Sequence, residues 1–327
     1  MVRTGIAITR RRGVSLIEVL IVVGVIGILL GILIPAVLNA RAAARAVQCK
    51  DNLHQLCVAS ESFQTANGHW PVRFMDLLPQ LDRRPAQDML LEWEQAGQST
   101  GAFPPIPAVP NVAMLSCPAD SRMPGQHRAR VSYFMNDGTT VLPLKSKRKS
   151  NGIVGDRGPH LEAGVRRPSE VTDGLSNTAL FAERLVWRGL ISTAPSSSPP
   201  NPLFRYTWRL SSTPADAAGV ASSYAATTNW VWPPTGHHSR AAGAARLYAF
   251  ETWYDHALVP NSRPVYTASQ EFDEFRASRP ATSEHHGGVH VALCDGSVRF
   301  VSETVDPDVW SAVGTRSGKE VFENDEF

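Results

Sequence analysis

The chain has 327 residues, with 32 lysines and arginines against 30 aspartates and glutamates, a formal net charge of +2. That near-balance argues against nucleic acid as a partner, because nucleic-acid binders concentrate positive charge on one surface. The first feature along the chain is a run of four arginines, Arg3, Arg10, Arg11 and Arg12, with no acid before Gly13. Next comes Val14-Ser-Leu-Ile-Glu18, then twenty uncharged residues from Val19 to Leu38. Twenty apolar residues suffice for a helix to cross about 30 Å of hydrocarbon. Positive charge ahead of such a span holds the N-terminus in the cytoplasm. The rest of the chain is then expected outside, on the periplasmic or surface side of an inner (cytoplasmic) membrane.

A cleaved secretory signal is a rival reading of the same stretch. Its apolar core runs about 7–15 residues before a small-x-small site, whereas this core is longer and Val37-Leu-Asn-Ala40 is a poor site. A plain uncleaved anchor is the other alternative. Glu18 bears on the choice, since a carboxylate at the head of a membrane-length segment is costly and marks function by default.

Gly13-Val14-Ser-Leu-Ile-Glu18 resembles the cleavage and methylation motif of type IV prepilins and type II secretion pseudopilins. The resemblance implies a prepilin peptidase that cuts between Gly13 and Val14 and methylates the new amine. Glu18 then becomes the fifth mature residue and Pro35 the twenty-second, positions where pilins commonly carry these residues. The family usually has phenylalanine where this chain has Val14. Loss of residues 1–13 moves the formal charge from +2 to −2, since the segment holds four arginines and no acid. The implied role of Glu18 is to pair in the membrane with the α-amine of Val14 in a neighbouring subunit; the simpler role is a carboxylate snorkelling to the headgroups.

Beyond Pro35 the sequence stays rich in helix formers. Ala46, Cys49, Leu53, Leu56, Ser60 and Phe63 fall three and four apart, one stripe of an amphipathic helix, and Gly68 is placed to end it. Val14 to Phe63 predicts a rod of about 75 Å at 1.5 Å per residue, kinked where Pro35 removes a backbone bond. Gly27 and Gly31 form a Gly-x-x-x-Gly suited to close helix approach, or reflect the frequency of glycine in membrane helices. The expected organisation is a leader at 1–13, a transmembrane helix at 14–38, an amphipathic continuation at 39–67 and an exterior β-rich domain at 68–327. About 260 residues follow Gly68, enough for one large or two small cores.

That exterior region reads as β strands separated by breakers, including Pro-rich loops at 103–110 and 194–202. Strand-like runs are Val131–Met135, Thr178–Ala182, Phe204–Leu210 and Asn229–Trp232. Val289–Leu293 alternates, reaches Asp295-Gly296 and returns as Val298–Val301, a hairpin signal. Asp306-Pro307 before Val309, Trp310, Val313 and Gly314 predicts a short capped helix. The fold class is therefore α+β: a long N-terminal helix packed on a mainly antiparallel β domain. Lys145, Lys147, Arg148 and Lys149 read as a solvated basic loop.

Gln48-Cys-Lys-Asp-Asn-Leu53, Leu115-Ser-Cys-Pro-Ala-Asp120, Asp173-Gly-Leu-Ser-Asn-Thr178 with Glu183, and Ser283-Glu-His285 followed by Asp295-Gly296 carry a second resemblance. In this order they are similar to a large bacterial family that joins a prepilin-type N-terminus to a domain of unknown function. Its C-terminal signature is histidine, nine residues, then Asp-Gly, matched by His285, Asp295 and Gly296; His286 stands where proline is common. The resemblance brings no reaction, substrate or cofactor.

His285, His286, His290 and Asp295, with His237-His238 elsewhere, are the residue types that hold zinc. No second ligand pair has recognisable spacing, so no metal site is assigned. His285 is instead expected to bond a backbone carbonyl ahead of the hairpin, with Asp295 and Gly296 making its turn. Asp173–Asn177 reads as a turn, or else as an oxygen-rich calcium loop without EF-hand spacing. No nucleophile with a recognisable catalytic partner is read, and the chain is read as no enzyme, with no cofactor. Of Cys49, Cys57, Cys117 and Cys294, which allow three pairings, Cys49 on the helix stripe and Cys117 in a β-type segment form the expected disulfide.

Two functions follow from different classes. One is a pilin-like structural subunit assembled through its N-terminal helix with copies of itself or with other pilin-like subunits. The other is a membrane-anchored exterior binding module for a glycan, protein or metal ion. For the latter, Trp230 and Trp232 offer stacking faces, the simpler use of both being buried core.

Overall fold

The structure is a computed structural model describing residues 16–95, 113–120, 131–139, 150–154, 164–185, 208–210, 217–227, 253–267 and 277–320. Gly13, Val14, the strand expected at Asn229–Trp232, the His237-His238 pair and the basic run at 145–149 lie outside the described residues. The chain divides into two compact units, residues 1–44 and 45–327. Helix α1, Leu16–Asn67, is 52 residues long and contains Pro35.

In the first unit, large apolar side chains from Leu16 to Leu38 are exposed. This part of α1 is long and apolar enough to cross a membrane by length and composition. A helix suits hydrocarbon because it satisfies its backbone hydrogen bonds internally.

The second unit begins where α1 becomes amphipathic. Cys49, Leu53, Leu56 and Ser60 of the stripe are fully buried, while Ala46 and Phe63 are half-buried. Asn52 and Cys57 are buried beside them. Gly68 ends the helix with φ +77° and donates its N–H to the Gln64 carbonyl at 2.7 Å. A left-handed residue at this position is the usual glycine terminator, because it carries no Cβ penalty. Two helices without a clear sequence signal follow, α2 (Phe74–Leu77) and α3 (Arg84–Gln95).

The main sheet has the order β4-β1-β2-β7-β8. Its strands are β1 (Tyr133–Asn136), β2 (Ala179–Glu183), β4 (Trp253–Tyr254), β7 (Gly288–Leu293) and β8 (Val298–Ser302). All neighbours are antiparallel except β1 and β4. A smaller sheet, β3-β5-β6, is built from β3 (Trp208–Leu210), β5 (Val265–Thr267) and β6 (Ala277–Ser278), with β3 and β5 parallel. Helix α4 spans Ala217–Ala226. The fold is α+β, with a mixed, mostly antiparallel main sheet.

The expected hairpin is β7–β8, closed by Asp295 and by Gly296 at φ +84°. The alternation read in β7 does not make one face polar. All six of its residues are buried, because β2 and β8 flank it and both faces are covered. Helix α5 (Pro307–Gly314) is capped by Asp306, whose Oδ1 accepts from the N–H groups of Asp308 at 2.8 Å and Val309 at 3.4 Å. It buries Val309, Trp310 and Val313, and the Trp310 indole N–H donates to the Leu258 carbonyl at 2.9 Å.

The second half of α1 joins this sheet through polar contacts as well as apolar ones. Asn52 Nδ2 donates to the Tyr133 hydroxyl at 3.1 Å, and His54 Nδ1 lies 3.1 Å from the Gly296 carbonyl. The helix therefore spans from β1 to the β7–β8 turn.

Candidate functional site

Strand β2 reads Ala-Leu-Phe-Ala-Glu and ends on a carboxylate, Glu183, that is 1% exposed. Acids are almost never buried so deeply without partners, and this one has several. The His290 backbone N–H on neighbouring β7 donates to Oε2 at 2.9 Å, and the His290 ring Nδ1 lies 3.2 Å from Oε1. His285, in the segment entering β7, puts Nε2 3.2 Å from the same Oε1. Cys117 Sγ lies 3.6 Å from Oε1 and 3.6 Å from His285 Nε2. Cys117 is disulfide-bonded to Cys49 on α1 across 68 residues of sequence. The two imidazoles meet edge to face with centroids 4.8 Å apart, and His290 lies edge-on to Phe300 at 5.2 Å.

Burial alone pushes the Glu183 carboxyl upward. Hydrogen bonds from His285 and then His290 outweigh it and hold the group down at about 2. The site is therefore a buried carboxylate fixed between two imidazoles and a sulfur bridge.

Two sequence readings change here. His285 was expected to bond a backbone carbonyl; its Nε2 instead meets the Glu183 carboxylate, because β2 lies directly beside β7. Cys117 was placed in a β-type segment; it follows a single 3₁₀ turn, Ala113–Leu115, in a loop against α1. Asp295 belongs to the same signature as His285 but not to the cluster. It is exposed, and its Oδ1 accepts from the Ser297 N–H at 2.9 Å and hydroxyl at 2.6 Å, making the turn. His286 is also exposed.

Glu18 and Pro35 lie in the first unit on α1. Asp173, weighed as a calcium ligand, has its carboxylate engaged by the N–H groups of Gly318 at 2.7 Å and Lys319 at 2.9 Å and by the Thr315 hydroxyl at 3.2 Å. That arrangement ties a turn to the segment after α5. Sequence reasoning missed Glu183 as a site residue. Its signal was a carboxylate closing an apolar strand run, with no partner nearby in sequence. It also missed His256, whose ring bridges the Trp310 carbonyl at 2.8 Å and the Tyr254 hydroxyl at 3.0 Å. Burial pushes His256 down to about 3, so it stays neutral.

Comparison with protein families gives two matches. Residues 8–34 match the prokaryotic N-terminal methylation motif, and residues 38–308 match a family described as protein of unknown function, DUF1559. The chain belongs to the DUF1559 family. Neither description names a catalytic activity. No curated protein and no solved structure matches the chain. Cys49, Cys117, Glu183 and His285 all fall inside the DUF1559 span, and so do Cys57 and Cys294, buried free thiols. Burial pushes Cys57 up to about 12 and Cys294 upward too. A thiol that does not ionise near neutrality is a poor nucleophile. Without reductant, the folded DUF1559 chain is expected to take up no iodoacetamide at pH 7.5. After denaturation it should take up two equivalents, and four after reduction. Peptide mass mapping reads this directly, and labelling of Cys49 or Cys117 before reduction contradicts the bridge.

Proposed function

We propose that this chain is a pilin-like subunit, cut by prepilin peptidase between Gly13 and Val14 and assembled through its N-terminal helix. The filament would be of the type IV pilus or type II secretion class. The observation that carries the reading is the continuity of three features: a methylation motif at 8–34, an apolar exposed helix starting at Leu16, and a DUF1559 domain behind it. The arginines ahead of Gly13 favour a cytoplasmic N-terminus and an exterior location for the domain.

Glu18 supplies the assembly contact. A carboxylate in the hydrocarbon costs about 2.5–3.5 kcal/mol on insertion scales. Pairing with the methylated α-amine of a neighbouring Val14 offsets that cost in the assembled state. Pro35 frees a carbonyl and lets the helix bend where the membrane segment ends. In cells with prepilin peptidase, Glu18→Ala is expected to be processed normally yet to enter sheared filaments at least about tenfold less than wild type. Tenfold corresponds to about 1.4 kcal/mol, less than the contact supplies. Unchanged incorporation would favour the anchored binding module instead.

A further inference from the structure

We propose that Cys49, Cys117, Glu183 and His285 form a thiol-gated site for a soft divalent cation such as zinc. The site is closed while the cysteines are bridged and opens to four ligands when they are reduced. This goes beyond the assembly role and rests on the exterior unit alone.

The donor set comes first. Two thiolates, an imidazole and a carboxylate are each ordinary zinc ligands, and four of them complete a tetrahedral structural site. Their donor atoms lie within 4.8 Å of one another. Geometry is the stronger argument. Tetrahedral bonds of about 2.0–2.3 Å place donor atoms roughly 3.3–3.8 Å apart. Three of the six separations already stand near that range: 3.2 Å for His285 Nε2 to Glu183 Oε1, and 3.6 Å from Cys117 Sγ to each of them. The motion required is separation of the two sulfurs to about 3.7 Å, and the two remaining separations, from Cys49 Sγ to Glu183 and His285, already lie within 4.8 Å. Three of the four residues are fully buried and His285 is close to it.

The surroundings also suit a metal. Ligating groups are held by outer partners that fix their orientation. Glu183 has such a partner in His290, whose N–H and ring hold the carboxylate so that Oε1 faces His285 and Cys117. A disulfide alone requires neither the buried acid nor the second imidazole. A metal site accounts for both.

Opening requires a dithiol reductant, which gives two electrons and two protons to the sulfur bridge and leaves as its own disulfide. The cation then displaces the two thiol protons, and metal–sulfur bonds form at Cys49 and Cys117. The Nε2 proton that His285 directs at Glu183 passes to solvent as the cation enters, so Nε2 offers its lone pair while Nδ1 carries the ring's proton. Exchange with a low-molecular-weight disulfide, which takes up the two electrons and leaves as two thiols after gaining two protons from solvent, re-forms the Cys49–Cys117 bridge and releases the ion.

The test uses the full chain in detergent micelles with cobalt(II) as a spectroscopic stand-in for zinc. The oxidised chain should bind no cobalt in the site. After reduction and removal of the reductant, it should bind one equivalent with the intense ligand-field bands of a tetrahedral thiolate complex, displaced by one equivalent of zinc. His290→Ala, which touches the site through Glu183, should weaken binding about 10–100-fold, and His285→Ala more. His286→Ala and the double variant Cys57→Ser, Cys294→Ser should leave affinity unchanged. Circular dichroism of each sample shows that it is folded. Loss of fold on reduction, a folded reduced chain without a tetrahedral spectrum, or equal binding by wild type and the Cys49→Ser, Cys117→Ser double variant would each overturn the proposal.

Discussion

Cys49→Ser is expected to lower the stability of the second unit by about 4 kcal/mol in metal-free buffer. The reasoning starts from the unfolded chain. A bridge across 68 residues removes loop-closure entropy that grows with the logarithm of loop length and reaches about 4 kcal/mol at this separation. Locally, the substitution also puts a hydroxyl where Cys49 is fully buried among Leu53, Leu115 and other apolar core residues. An unpaired hydroxyl in such a place carries a further desolvation cost. Urea unfolding of a soluble fragment starting near Arg45 reads the change, and Cys49→Ala separates the hydroxyl contribution from the entropic one. Both variants should lose most of the 4 kcal/mol. A loss below about 1 kcal/mol for both would mean that burial alone holds α1 on the sheet.

Glu183→Gln is expected to cost about 3 kcal/mol at pH 7, most of it disappearing in acid. The ordinary carboxyl value is 4.5 and the folded value about 2, and each unit of difference is worth about 1.4 kcal/mol. A carboxyl held down in the folded state stabilises above its unfolded value. That stabilisation is lost as pH falls from 4.5 through 2. The gap between wild type and Glu183→Gln should therefore be flat above pH 5 and close towards pH 2. His256 complicates the raw curves. Its neutral form is held by burial down to about 3, so it too withdraws stability as pH falls below 6.5. It is present in both proteins and cancels in the difference. Thermal melts across this range check the prediction; a shift of roughly 2–4 °C per kcal/mol is expected for a unit of this size. A gap that persists at pH 2 would assign the effect to lost packing instead of charge.

The second half of α1, helix α5 and the β7–β8 hairpin were legible because their signals are local. The stripe from Ala46 to Phe63 reports a face with period 3.6. Gly68 closes α1 through its own backbone freedom, and Asp306 caps α5 two and three residues away. The β7–β8 turn was readable for the same reason. The order β4-β1-β2-β7-β8 was not. The parallel partner of β1 is two residues long and lies more than a hundred residues away, so nothing near Trp253 and Tyr254 marks the pairing. The Glu183 cluster was hidden in the same way. Its donors come from α1, a loop, β2 and the segment entering β7. No window of sequence contains two of them at ligand spacing. His285 and Asp295 share a short motif and were grouped for that reason, yet one faces the core and the other makes a turn. Nearness in sequence misled where β7 carries its two ends to different surroundings.

These two observations also separate the chain's tasks. The first unit carries a processing motif and a membrane-length helix, while the second carries a buried sulfur, imidazole and carboxylate centre. A defect in one leaves the other measurable.

The account of the first unit is tested most directly by the mass of the native N-terminal peptide, from membranes of cells that express prepilin peptidase. The proposed processing predicts a chain that begins at Val14 and carries one methyl group on its α-amine. A chain that still begins at Met1 with its arginines intact would contradict it.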